Sequence, residues 1–264
     1  MKLKNLSKII LATICIVIFS CSKTKFINTF KKISPTTSLK TISYKNGNQK
    51  FTGVITSNHG KNLPGVLILP SWMGIDEEAK NAALDLEKEG YIAFIADIYG
   101  EGNLPKNEEE ASVKSTFYKQ NYKEYQFRIT LALNELTAKL GAVKKTAIIG
   151  YCFGGTGALE ATRGNIPVEG VVSIHGGLYK SPDRRNNVIL SKILVLNPDK
   201  DQTVSKEDYD NLIKEMNEGN VDWQIITYAN SKHTFTNPQS LDYNPIMAKR
   251  AWQHMLLFLK EVLK

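Results

Sequence analysis

The stretch "AIIGYCFGGTGAL", residues 147–159, runs from an apolar segment through a glycine-flanked cysteine into a segment with helical spacing of apolar residues. This order predicts a buried strand, a tight turn and a helix, with Cys152 on the turn. Gly150, Cys152 and Gly154 fit the pattern G-x-S-x-G, with sulfur in place of oxygen. The helix N-terminus would favour a thiolate at Cys152. The alternative is a glycine-rich turn that carries an inert, buried cysteine.

The rest of the chain alternates apolar runs with segments of helical spacing. A hairpin is predicted over residues 39–57, around the turn at Asn46–Asn48. Buried strands are predicted at 65–70, 91–96, 146–150, 168–174, 192–197 and 223–228. Helices are predicted over 76–89, 108–140 (broken near Asn121), 153–162, 205–217 and 243–263. The pattern predicts one α/β domain over 39–264, with a mostly parallel central sheet and helices on both faces.

Candidate partners for Cys152 follow two later strands. In open parallel sheets, reactive groups collect beyond the carboxyl ends of the strands. "PDKDQTV" places Asp199 and Asp201 after the strand at 192–197, and "ANSKHTFTNP" places His233 after the next strand. A nucleophile, an acid and a base in this chain order are typical of the Ser-His-Asp type of catalysis on such a sheet. The residues alone leave Asp199 and Asp201 as alternative acids.

Three other histidines are weaker candidates for a base. His175 follows a strand but precedes the acid in the chain, so a structural role is expected. His59 lies in a turn before the buried strands, and His254 lies on the polar flank of the last helix. His233 is therefore the predicted base.

The first residues, "MKLKNLSKIILATICIVIFSC", have the pattern of an export signal. Three lysines precede an apolar run from Ile9 to Phe19, which is too short for a bilayer core that needs about 20 residues. The run ends at "IFSC", which resembles a bacterial lipoprotein box. We predict a signal peptide at 1–20, lipidation of Cys21 and a tether over 21–38, with an uncleaved anchor or an ordinary signal peptide as alternatives. The protein would then lie in the cell envelope, anchored to a membrane.

Composition excludes several other functions. The formal net charge is +8, and it falls to +5 without the three leader lysines. Basic and aromatic residues do not interleave as they do in nucleic-acid-binding proteins, so no nucleic-acid partner is expected. The sequence shows no metal-ligand cluster, and its glycines after Cys152 are too densely placed for a dinucleotide loop. No cofactor and no metal are expected.

Five sequence blocks resemble the dienelactone hydrolase family in the same order. They are "PGVLILPSWMGID", "GYIAFIADIYGEG", "IIGYCFGGTGALE", "VVSIHGGL" and "NSKHTFTNP…AKRAWQHMLLFL". The resemblance implies the α/β-hydrolase fold, with Cys152 as nucleophile, Asp201 as acid and His233 as base. It favours Asp201 over Asp199 because Val204 completes the D-x-x-V block. It also implies an oxyanion hole formed by the backbone N–H groups of Trp72 and Phe153.

Two departures from the family pattern bear on the mechanism. Ser71 stands where the family commonly has a glutamate that helps govern the protonation of the resting cysteine. The segment 234–245 contains no arginine to bind a substrate carboxylate, so a dienelactone carboxylate is not the expected substrate. We predict a hydrolase that cleaves an ester, lactone or thioester of a small molecule through an acyl-cysteine intermediate. A non-catalytic binding module of the envelope and an acyltransferase are the alternatives.

Overall fold

The structure is a computed structural model, and it describes residues 38–141 and 145–264. The predicted signal peptide, Cys21 and all of the predicted tether except Ser38 lie outside the described residues. Among the helices that the structure describes, none is long and apolar enough to cross a membrane.

An eight-stranded sheet forms the centre of the domain, in the order β1-β2-β4-β3-β5-β6-β7-β8. The strands are β1 (Leu39–Asn46), β2 (Gln49–Thr56), β3 (Gly65–Leu69), β4 (Ile92–Ile95), β5 (Thr146–Tyr151), β6 (Gly170–Ile174), β7 (Lys192–Pro198) and β8 (Trp223–Tyr228). β1 and β2 form the predicted antiparallel hairpin, and β2 is antiparallel to β4. β3 to β8 are parallel to one another, so their carboxyl ends share one edge of the sheet.

Helices cover both faces of this sheet. They are α1 (Glu77–Lys88), α2 (Glu108–Gln120), α3 (Tyr122–Ala138), α4 (Phe153–Arg163), α5 (Lys206–Glu218) and α6 (Pro245–Leu263). Apolar side chains of α1 and α6 form the core on one face. Those of α2, α3, α4 and α5 form the core on the other face. The predicted α/β architecture is confirmed, because a sheet whose central strands are buried on both faces needs helices on both.

Three helices begin directly after a residue that caps their first turn. Asp76 and Ser205 accept hydrogen bonds from backbone N–H groups in the first turns of α1 and α5, so each helix starts one residue later than predicted. Asn244 caps α6, and Pro245 begins that helix, two residues after the predicted start. The break near Asn121 between α2 and α3 is confirmed.

The chain enters the domain at the edge of the sheet opposite to the carboxyl ends of the parallel strands. Leu39, the first residue of β1, pairs with Thr56, the last residue of β2. Ala93, near the amino end of β4, donates its backbone N–H to the Thr56 hydroxyl over 3.0 Å. Leu39 therefore lies toward the amino ends of the parallel strands.

Candidate active site

The turn between β5 and α4 holds Cys152 in a strained backbone conformation. Its φ of 53° and ψ of −113° lie in a region that non-glycine residues rarely adopt. A Cβ on Gly150 would overlap the backbone of Gly154, and a Cβ on Gly154 would overlap the carbonyl group of Leu69. Both glycines of the motif are therefore required by the close approach of strand and helix. The turn leaves the Cys152 side chain partly exposed at the carboxyl edge of the sheet.

His233 lies between Cys152 and Asp201. Its Nε2 is 3.0 Å from Cys152 Sγ, and its Nδ1 is 2.8 Å from Asp201 Oδ2. Burial by itself lowers the pKa of His233, but hydrogen bonds to Asp201 and Cys152 outweigh this effect and raise the pKa to about 10. At neutral pH this arrangement favours an imidazolium, whose Nδ1–H donates to the Asp201 carboxylate and whose Nε2–H points at the sulfur of Cys152.

Asp201 is held in place by Thr203 as well as by His233. The Thr203 hydroxyl donates to Asp201 Oδ1 over 2.7 Å, and the Thr203 backbone N–H donates to the same oxygen over 2.9 Å. Burial tends to raise the pKa of Asp201, but the hydrogen bonds from His233 and Thr203 hold it below its usual range. Asp199, the alternative acid, has an exposed side chain, and its backbone N–H donates to the Tyr228 carbonyl. Thr203 was not among the predicted site residues, although a threonine two residues after an aspartate is a signal for such a turn.

The two predicted oxyanion donors belong to backbone segments that aromatic residues support. The Phe153 ring is stacked against Tyr125 and also lies parallel to the Tyr99 ring, with ring centroids 4.6 and 5.9 Å away. The Tyr125 hydroxyl donates to the Phe153 carbonyl oxygen, and the Tyr99 hydroxyl donates to the Trp72 carbonyl oxygen over 2.7 Å. The peptides at Phe153 and Trp72 are thereby held by buried tyrosines.

Ser71 connects the Trp72 loop to helix α1. Its hydroxyl donates to Asp76 Oδ2 over 2.6 Å, while Asp76 Oδ1 accepts the backbone N–H of Ala79 as the helix cap. The Ser71 hydroxyl proton is therefore committed to Asp76. This side chain positions the loop where the family commonly has a glutamate.

His175, for which the sequence indicated a structural role, contacts the backbone of Cys152. The Cys152 N–H is shared between the Ile174 carbonyl oxygen, 3.0 Å away, and His175 Nδ1, 3.1 Å away. Burial and the charge of His233 lower the pKa of His175 to about 3, so its ring is neutral. The His175 and His233 rings meet edge to face, with centroids 5.2 Å apart.

The two remaining histidines have partners outside this cluster. His59 Nδ1 is 3.0 Å from the Thr56 carbonyl oxygen, and His254 Nδ1 is 2.8 Å from the Tyr228 hydroxyl. Within residues 38–141 and 145–264, no group of three or more His, Cys, Asp or Glu side chains could hold a metal ion.

A mostly parallel sheet covered by helices on both faces, with a strand–turn–helix elbow at its carboxyl edge, defines the α/β-hydrolase class. The model of the dienelactone hydrolase family matches residues 51–263. The chain belongs to the dienelactone hydrolase family and is a hydrolase.

Individual relatives agree with this family assignment. A Bradyrhizobium protein named "Probable 2-oxo-3-(5-oxofuran-2-ylidene)propanoate lactonase" is 25% identical over 209 residues, which cover 75% of this chain and 84% of that protein. The crystal structure of a dienelactone hydrolase-like promiscuous phosphotriesterase from metagenomic libraries has a TM-score of 0.78 and 27% identity, covering 86% of this chain and 99% of that one. The structure named m3DLH has a TM-score of 0.80 and 30% identity over the same shares of the two chains.

Proposed function

We propose that this hydrolase cleaves an ester, lactone or thioester of a small molecule through a covalent acyl-cysteine intermediate. The observation that carries the proposal is the row of side chains from Cys152 through His233 to Asp201, with atom separations of 3.0 and 2.8 Å. A nucleophile in contact with a base, and a base oriented by a carboxylate, is the arrangement that nucleophilic acyl transfer requires.

The first half of the reaction forms the acyl enzyme. The Cys152 thiolate attacks the carbonyl carbon, and the negative charge that develops on the oxygen is stabilised by the backbone N–H groups of Trp72 and Phe153. Each such donor is typically worth about 3 kcal/mol of barrier. The tetrahedral intermediate collapses as the imidazolium of His233 gives its Nε2 proton to the leaving alkoxide or thiolate. Asp201 keeps the other ring nitrogen protonated throughout.

The second half returns the enzyme to its resting state. Neutral His233 removes a proton from a water molecule, and the resulting hydroxide attacks the acyl carbon. The second tetrahedral intermediate expels the Cys152 thiolate and releases the carboxylic acid. The His233 imidazolium and the thiolate are then restored as a pair.

The names of the relatives favour a lactone or an ester as the substrate. One relative is named as a lactonase and others as "Putative carboxymethylenebutenolidase", while one structural neighbour is named as a promiscuous phosphotriesterase. The segment 234–245 of this chain carries no arginine, which argues against a substrate whose carboxylate is bound there. A panel of esters, lactones, thioesters and one phosphotriester would rank these classes, and added alcohol or amine acceptors would separate hydrolysis from acyl transfer.

The rate of Cys152 alkylation by iodoacetamide tests the contact with His233. In the wild type, the imidazolium should keep the rate appreciable well below the pH near 8.5 at which free thiols ionise. In His233→Ala, the profile should move toward that value because the thiolate loses its cationic partner. A His233→Ala profile superimposable on that of the wild type would refute the triad. A slow rate in both proteins would favour the non-catalytic binding module instead.

Export and lipid anchoring belong to the same proposal. The charged and apolar segments before "IFSC" support cleavage before Cys21 and acylation of its thiol. Labelling with a radioactive fatty acid should mark the wild type and spare Cys21→Ala, because the variant lacks the thiol that is acylated. Several acyl chains are needed for a firm anchor. Equal labelling of both proteins, or a mature N-terminus other than Cys21, would contradict the anchor.

A further inference from the structure

A second row of hydrogen bonds leads away from the nucleophile, and it begins at the backbone N–H of Cys152. The Cys152 N–H donates to His175 Nδ1, and His175 Nε2 lies 2.8 Å from the Thr236 hydroxyl oxygen. The Thr236 hydroxyl lies 2.6 Å from Glu78 Oε1 on helix α1. Glu78 and Cys152 are thus connected by two side chains from two other segments of the chain.

The direction of each bond in this row follows from the chemistry of its ends. The Cys152 amide can only donate, so His175 Nδ1 must be the acceptor nitrogen of the neutral ring. The ring proton then sits on Nε2 and is donated to the oxygen of Thr236. The Thr236 hydroxyl proton points to Glu78, and a carboxylate is the strongest acceptor for it. A carboxylate at Glu78 therefore selects the one tautomer of His175 that can receive the Cys152 N–H.

We propose that Glu78 is a positioning residue for the catalytic cysteine, acting through Thr236 and His175 on the backbone of the strained turn. This inference rests on the proposed function, because it assumes that Cys152 is the nucleophile. Loss of the row would release the Cys152 peptide to a single acceptor, the Ile174 carbonyl. The carboxylate charge would also support the imidazolium of His233, whose ring packs against His175.

The surroundings of Glu78 bring the pKa of its carboxyl group close to neutral pH. Glu78 and Thr236 line a cavity of about 260 Å³ between α1 and α6. The titratable groups around Glu78 are Asp76 and Asp85 of the α1 region, Tyr151 of β5, His175 after β6, His233 in the loop after β8, Tyr243 before α6 and Lys249 of α6. Burial and the nearby Asp76 raise the pKa of Glu78 to about 7, against the opposing effects of Thr236 and His233.

The reactivity of Cys152 should be higher above about pH 7 than below it, because Glu78 loses its proton there. Below about pH 7 the carboxyl group of Glu78 is protonated. It is then a weaker acceptor for the hydrogen bond from the Thr236 hydroxyl, and it carries no negative charge that could stabilise the imidazolium of His233. Above this pH Glu78 is a carboxylate, which accepts the Thr236 hydrogen bond strongly and stabilises the His233 imidazolium. Cys152 reactivity in the wild type should therefore rise through a step near pH 7, in addition to any step from the His233–Cys152 pair.

Four variants separate the parts of this proposal. Thr236→Val removes the hydroxyl, and Thr236→Ser restores it. Glu78→Gln keeps an acceptor oxygen but removes the charge and the titration. Glu77→Gln is the control, because Glu77 is the neighbouring, exposed residue of α1 and pairs with Lys80.

Two measurements are made on each variant. The first is the tautomer of His175 in ¹⁵N-histidine-labelled protein, which is tractable because the chain has only four histidines. The second is the alkylation rate of Cys152 against pH. We expect Thr236→Val to mix the tautomers and to lower the alkylation rate at pH 8 by about three-fold to ten-fold, as the loss of one hydrogen bond would. Thr236→Ser should behave as the wild type. Glu78→Gln should keep the tautomer and lose the step near pH 7, and Glu77→Gln should keep both.

The contrary results are equally definite. An unchanged alkylation profile in Thr236→Val would overturn the proposal, whether or not the tautomer changes. A step near pH 7 that persists in Glu78→Gln would overturn the role of Glu78. Failure of the proposed function looks different: the wild-type cysteine would then react no faster than a free thiol, while the His175 tautomer would still depend on Thr236. If Thr236→Val does not fold, the loss or persistence of the step near pH 7 in Glu78→Gln decides the question.

Discussion

Replacing Cys152 by alanine is expected to abolish acyl-enzyme formation and to lower turnover of p-nitrophenyl acetate by about 10⁶-fold, as removal of the nucleophile does in a comparable triad. The reason is that His233 Nε2 faces the sulfur atom over 3.0 Å, so alanine leaves the base with nothing to activate. Cys152→Ser should keep weak activity, because a serine serves as nucleophile on the same type of turn in other α/β-hydrolases.

Intact-protein mass spectrometry checks this prediction. The protein without residues 1–21 is the appropriate form, because Cys152 is then its single cysteine. The wild type should show an acetyl adduct after brief exposure to the ester, and the alanine variant should show none. An acetyl adduct of equal yield on Cys152→Ala would mean that another side chain carries the acyl group.

Replacing Asp201 by asparagine is expected to lower turnover by about 10⁴-fold, the cost of losing the orienting carboxylate in a related triad. An asparagine in this place can present its NH₂ group to His233 Nδ1 and so favour the wrong tautomer. Asp199→Asn is the matched control, because Asp199 lies two residues away and its side chain is exposed. It should change turnover by less than about two-fold, as expected for an exposed group outside the site.

The measurement is kcat on a single ester for both variants, together with their melting temperatures. A melting temperature close to that of the wild type ensures that the loss reflects catalysis and not unfolding. If Asp199→Asn were the more damaging substitution, the orienting carboxylate would be Asp199, and the contact of 2.8 Å between Asp201 and His233 would have no role in the reaction.

The fold could be predicted because its signals are local. Runs such as the strand at 65–69 are apolar at every position, which indicates burial on both faces, and glycines and capping residues end the helices. The order of strand, turn and helix then leaves few topologies. The starts of α1, α5 and α6 were predicted too early, because Asp76, Ser205 and Asn244 act as caps and not as helical residues.

The grouping of Cys152, His233 and Asp201 was predictable for a different reason. Each follows a parallel strand, and the shared carboxyl edge of the sheet brings such positions together regardless of their separation in the chain. The row of Glu78, Thr236 and His175 could not be found in this way. Glu78 and Thr236 are 158 residues apart and lie on a helix and a loop, so no periodicity relates them. Their meeting depends on how α1 packs beside the loop after β8.

The entry of the chain at β1 has a consequence for where a tether joins the domain. Leu39 lies toward the amino ends of the parallel strands, and Cys152 lies at their carboxyl ends. If the residues before Leu39 anchor the protein as proposed, the tether joins the domain at the end of the strands opposite to the one that carries the nucleophile.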